Sequence, residues 1–152
     1  ALILSRQNIK NLPHSITAAV RSCPAFERRL YRSRCRQTAV VMLASGSEVA
    51  TLVEGAELLS KEGIAVRIVS VPSEGLFRDQ PKSYQQTVLP QGVVRYGLTS
   101  GLPVTLLGLV GENGMIHGLD HFGYSAPYKV LDEKFGYNGQ TVYEEVKKLI
   151  GK

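Results

Sequence analysis

The stretch "AVVMLASGSEVATLVEGAELLSKEGIAVRIVSVP", residues 39–72, decides the fold. It opens on a continuous apolar run, Ala39 to Ala44, bounded by polar and glycine residues, the mark of a strand covered on both faces. Val49, Leu52, Val53, Ala56 and Leu59 then fall on one helical stripe. Ser45 and Glu48 have the spacing of a capping box, and Gly63 stands where the helix should stop. "AVRIVSV", residues 65–71, is the next strand, closed by Pro72. Strand, helix and strand in so short a span make a βαβ unit, so the two strands should be parallel with a right-handed crossover.

Working outward, "LILS" (2–5) reads as the end of a buried strand, and residues 9–37 show no clean period and read as a connector or arm. Downstream, residues 81–89 predict a short helix ended by Pro90, and residues 92–98 a third strand. Periodicity leaves "GLPVTLLGLVG" (101–111) open between strand and helix. Residues 114–120 predict a fourth strand or sheet edge. A helix follows to about Phe135, with Ser125 as its N-cap and Pro127 in its first turn. The last helix is predicted from a second capping box, Thr141 with Glu144, and a stripe of Val142, Val146, Leu149 and Ile150. The alternation predicts a three-layer α/β/α domain with a mixed, mostly parallel sheet of about five strands.

The 152 residues suit one domain, and the ordinary apolar and charged fractions suit a soluble globular chain. The longest apolar runs are too short to span a membrane, and no charged segment followed by a long apolar one opens the sequence as a secretory signal would. The net charge of +5 comes entirely from residues 21–36, where six arginines face Glu27 alone. A surface built for phosphate backbones recruits cations from several elements. The body here is neutral, which argues against nucleic acid as the partner. Cys23 and Cys35, twelve apart, fit no zinc pattern and are expected as free thiols.

Few residues carry chemistry. The "ASGSEV" turn (44–49) runs from a strand end into a helix start, a natural anion site. It lacks the glycine spacing of a dinucleotide or P-loop motif, and Glu48 would repel a phosphate, so a plain capping turn is the favoured reading. His117 and His121 are expected on one strand face. With Asp120 they make a weak candidate metal site, against surface or interface histidines as the better reading. No catalytic, cofactor-binding or metal-ligating residue is assigned. Arg6 directly follows an apolar strand, where α/β sheets present ligand-binding groups. Its guanidinium suits bidentate contact with a phosphate or carboxylate, or equally an ion pair with a neighbouring acid.

Four stretches, "ALILSRQN" (1–8), "ASGSEVATLVEGAELLSKEGIAVRIVSVPS" (44–73), "YQQTVLP" (84–90) and "GLDHFGYSAPYKVLDEKFGY" (118–137), together resemble the carboxyl-terminal part of transketolases. The resemblance covers residues 1–12 and 38–152. It implies a boundary pattern: 1–8 as the end of a pyrimidine-binding domain, 9–37 as a connector, and 38–152 as the third domain. It also implies a cytoplasmic homodimer of the pentose phosphate pathway that transfers a two-carbon ketol unit between sugar phosphates with thiamine diphosphate and Mg²⁺. In that family the cofactor and metal belong to the first two domains, so this chain alone would bind neither and would be inactive. The arginine of "LSRQN" contacts the sugar phosphate in the family, which favours that role for Arg6.

Residues 13–37, "RYGLTSG" (95–101) and "LPVTLLGLVG" (102–111) depart from the family pattern, although the resemblance favours a helix for the last. The arginine run reads either as a local reading-frame error in the deduced sequence or as a lineage-specific surface arm. Two other assignments remain: the matching domain of another thiamine diphosphate enzyme, and a freestanding α/β module binding an anion or an acidic partner.

Overall fold

The computed structural model describes residues 38–151 and the backbone of a short strand, β1 (Phe26–Arg28). The elements that follow are β2 (Val40–Ala44), α1 (Glu48–Lys61), β3 (Val66–Ser70), α2 (Glu74–Arg78), α3 (Lys82–Val88), β4 (Val94–Leu98), α4 (Val104–Val110), β5 (Met115–His117), α5 (Tyr128–Phe135) and α6 (Gly139–Leu149). Arg6, His14, Cys23 and Cys35 lie outside the described residues.

The strands order as β1-β3-β2-β4-β5. β2 pairs parallel with both β3 and β4, and β4 pairs parallel with β5. The fifth strand, β1, runs antiparallel to β3 at the edge and lies inside the stretch read as a connector. The sheet is therefore mixed and mostly parallel, as expected. The βαβ unit is present as β2–α1–β3, and residues 104–110 resolve as helix.

β2 is buried along its whole length because both its faces are covered. Val40, Met42 and Ala44 enter one core with α1 and α6, whereas Val41 and Leu43 enter a second with Phe77, Val88 and Leu109. The period of two in a strand sorts the side chains this way. On the second face, Arg67 and Arg95 flank Val41 in the register. The Arg67 guanidinium donates to the carbonyls of Thr87 (2.7 Å) and Val88 (3.2 Å) at the end of α3. That of Arg95 donates to the Leu109 carbonyl, 2.7 Å away, near the end of α4. Each cation thus satisfies carbonyls that a helix end leaves without an intrahelical partner.

Three expected caps are not formed. Ser47, not Ser45, precedes α1, and it makes no side-chain cap bond. The first-turn amides of Val49 and Ala50 donate to the carbonyls of Gly46 and Ser47. α5 starts at Tyr128 after Pro127, not at Ser125, because a proline biases the residue before it toward extended backbone. α6 begins two residues before Thr141. The Asn138 side chain accepts from the Thr141 amide at 2.9 Å, while Glu144 pairs with Gln140.

Candidate functional site

The connection from β2 leads through α1 on one face of the sheet, and that from β4 leads through α4 on the other. Their carboxyl ends therefore diverge between Ala44 and Leu98, the switch point where open α/β sheets place ligands. Ser45 and Gly46 are exposed there, with Gly46 in the left-handed region at φ 61°. Tyr137, from the turn between α5 and α6, reaches this point and donates its hydroxyl to the Thr99 carbonyl at 2.7 Å. Burial, then Glu48 and Asp132, push the Tyr137 hydroxyl up to about 12. Asp132 is itself raised, by burial first and by Glu48 second. A protein tyrosine and two carboxylates thus occupy the rim, an environment that repels phosphate.

Beside it lies a polar network that crosses three elements. Tyr96 on β4 is fully buried, and its hydroxyl donates to Glu145 Oε2 on α6 at 2.6 Å. His117 Nδ1 lies 3.0 Å from Glu145 Oε1, and its Nε2 lies 2.8 Å from the Phe135 carbonyl. The Tyr137 ring meets the imidazole edge-on at 5.0 Å. Burial and then the Glu145 carboxylate raise the Tyr96 hydroxyl. For Glu145, burial alone would push the carboxyl up, but hydrogen bonds from His117 and Tyr96 outweigh it and hold the group below its ordinary range.

The structure separates the two histidines expected on one strand face, because β5 ends at His117. His121 lies in the exposed loop beyond it, with its ring beside Tyr124 and Phe135. Asp120 is exposed, and among the described residues no three His, Cys, Asp or Glu side chains group as a metal site. Glu145 and Tyr96 escaped the sequence reading. The signal for Glu145 was present, since it stands on the apolar stripe of α6 between Val142 and Val146. Among the described residues no helix is long and apolar enough to cross a membrane.

Residues 28–138 match the family model of the transketolase-like TK C-terminal domain. Transketolase 1 of Vibrio cholerae is 36% identical over 151 residues, covering 99% of this chain and 22% of that protein. The match therefore runs through the arginine-rich stretch. A transketolase from Leishmania mexicana shares the fold with a TM-score of 0.73 and 33% identity, over 84% of this chain and 18% of that one. A transketolase from Pichia stipitis, solved in complex with sedoheptulose 7-phosphate, has the same fold at a TM-score of 0.72 and 23% identity, over 84% and 18% of the two chains. The chain spans about a fifth of the length of such relatives, and with most of its own residues matched it belongs to the transketolase C-terminal domain family.

Proposed function

We propose that this chain is the third domain of a transketolase, supporting the thiamine-diphosphate-dependent transfer of a two-carbon ketol unit between sugar phosphates in a cytoplasmic homodimer. The observation that carries this reading is the family match over residues 28–138, joined to relatives aligned along 99% of the chain. Residues 1–8 then close the pyrimidine-binding domain, and 9–37 connect it to the third domain, 38–152, while lending β1 to that domain's sheet. The transketolase of P. stipitis solved with a sugar phosphate supports the substrate class.

The described residues do not fit the cofactor or its metal. They bring together no metal-binding group of three acids, histidines or cysteines, and a diphosphate at the switch point would meet Glu48 and Asp132. On this reading, as the family resemblance implies, other domains of the enzyme hold both groups, and this chain's part is support and subunit contact. Arg6 is the exception, contacting the substrate phosphate through its planar, permanently charged guanidinium.

The test is a ketol-transfer assay with ketose phosphate donor and aldose phosphate acceptor. The 152-residue chain should show no turnover with thiamine diphosphate and Mg²⁺ added, whereas the enzyme carrying all three domains should turn over. Arg6→Ala in that enzyme should raise KM for a phosphorylated donor about tenfold or more, the scale of a charge-assisted bidentate contact. A non-phosphorylated donor should be little affected. Turnover by the short chain would overturn the support role, and an unchanged KM would remove Arg6 from the site.

A further inference from the structure

His117 closes β5 with an acceptor at each ring nitrogen. Nδ1 stands 3.0 and 3.2 Å from the two carboxylate oxygens of Glu145, and Nε2 stands 2.8 Å from the carbonyl oxygen of Phe135, the last residue of α5. A neutral imidazole has one N–H and one lone pair, so it can donate to only one of these partners. The imidazolium donates to both. We infer that protonation of His117 locks the end of α5 to the sheet, and that its deprotonation releases the Phe135 carbonyl and loosens residues 118–135.

The remaining proton belongs on Nδ1, because the Glu145 carboxylate is the stronger acceptor. The Nε2 lone pair then faces the Phe135 carbonyl oxygen, and that contact turns repulsive. One bond matters here because residues 120–130 are all exposed and α5 has no fully buried residue, only Leu131, Asp132 and Phe135 being half-buried. The ring contacts of the segment are internal to it. Tyr124 stacks on Phe135 at 5.7 Å, His121 lies 5.3 Å from Phe135, and Lys134 sits 4.0 Å over Tyr124. They shape the segment without tying it to the sheet. Among the described residues, hydrogen bonds hold its two ends: the Leu119 amide donates to the Gly101 carbonyl in the loop after β4 at 3.0 Å, and His117 holds the Phe135 carbonyl, two residues before Tyr137 is anchored to Thr99. A segment with few buried contacts belongs to the low-stability end of a fold.

The groups around the imidazole favour its charged form. Glu145 faces it from α6, where Lys148 offsets part of that charge. Tyr96 from β4 donates to the same carboxylate, and Tyr137 packs against the ring. Glu48 from α1 and Asp132 from α5 add negative charge around Tyr137. The hydrogen bond to Glu145 raises His117 above its ordinary 6.5, with burial opposing. Its stabilising contribution is therefore complete below 6.5 and is lost as the pH rises through the raised value. The charge on Glu145 is lost as the pH falls through its depressed value, which weakens the bond at Nδ1 while Nε2 still donates to Phe135. The device holds whether or not the chain serves a ketol transferase.

The test is hydrogen exchange read by mass spectrometry on the intact chain at about pH 6 and about pH 8.5, either side of the histidine range. Rates are divided by the intrinsic rate at each pH. Peptides covering residues 128–136 should lose about tenfold in protection at the higher pH, the effect of one charge-assisted hydrogen bond on local opening. Peptides of α1 should not change. The effect should survive His121→Gln, which removes the other histidine of the segment, and vanish in His117→Gln. Equal protection at both pH values, or a pH effect that persists in His117→Gln or disappears in His121→Gln, would overturn the inference. Should His117→Gln not fold, the unsubstituted chain and His121→Gln decide the matter between them.

Discussion

α5 and α6 follow one another across a three-residue turn, yet they are held by different physics. α6 buries Gly139, Val142 and Val146, and it approaches α1 so closely that a Cβ on Gly55 would stand 2.6 Å from a Val142 methyl. A Cβ on Gly139 would likewise come within 2.7 Å of Glu54 Cβ. α5 has no fully buried residue, only Leu131, Asp132 and Phe135 half-buried, and its last carbonyl rests on an imidazole. Apolar burial is nearly indifferent to pH and scales with area. A charge-assisted bond is worth as much as a buried methyl group or two, but only while the proton is there. The same sheet end therefore carries one helix fixed by packing and one fixed by ionisation.

The sharpest way to break this contrast is one substitution in both helices. Val142→Ala, at a fully buried site, should cost about 2 kcal/mol by the transfer and cavity terms. Val130→Ala, at a site 53% exposed, should stay within about 0.5 kcal/mol. Urea unfolding midpoints measure both, and equal shifts would mean that α5 is as firmly packed as α6. Next in size, Tyr96→Phe takes one of the donors from the Glu145 carboxylate and should cost about 1.5 kcal/mol by the same measurement. A neutral outcome would mean that Glu145 does not depend on the tyrosine. Smallest, Gly55→Ala should destabilise by about 1 kcal/mol, since overpacking against Val142 exceeds the gain of about 1 kcal/mol in helix propensity. A stabilised variant would show that α1 and α6 can move apart at little cost.

Much of this architecture was legible because the signals were local and repeated. The apolar run of β2, the stripe of α1 and the run of β3 each repeat one period several times, so one misleading residue does not hide them. α2 was missed because five residues are too few to establish a helical period. β1 was missed for a similar reason, since three residues among arginines carry no alternation that stands out. The caps were misplaced because Ser, Thr and Glu at the right spacing recur by chance, and Asn138 followed by Gly139 reads as a turn as readily as a helix start. The candidate site was less legible than the fold. Arg6 was singled out by position and lies outside the described residues, while the polar network went unread.

The sequence by itself determined the layer architecture, the parallel βαβ unit and the family, because periodicity and ordered runs of residue types are properties of neighbours along the chain. Only the tertiary structure decided that Tyr96, His117 and Glu145 meet, across separations of 49 and 28 positions. Such contacts depend on strand order and on which side of the sheet a returning helix lands, and a linear pattern does not encode either. It also decided what kind of group each residue is. The same histidine is an ordinary base on a surface, and between a carboxylate and a helix-end carbonyl it becomes a cation that holds two elements together.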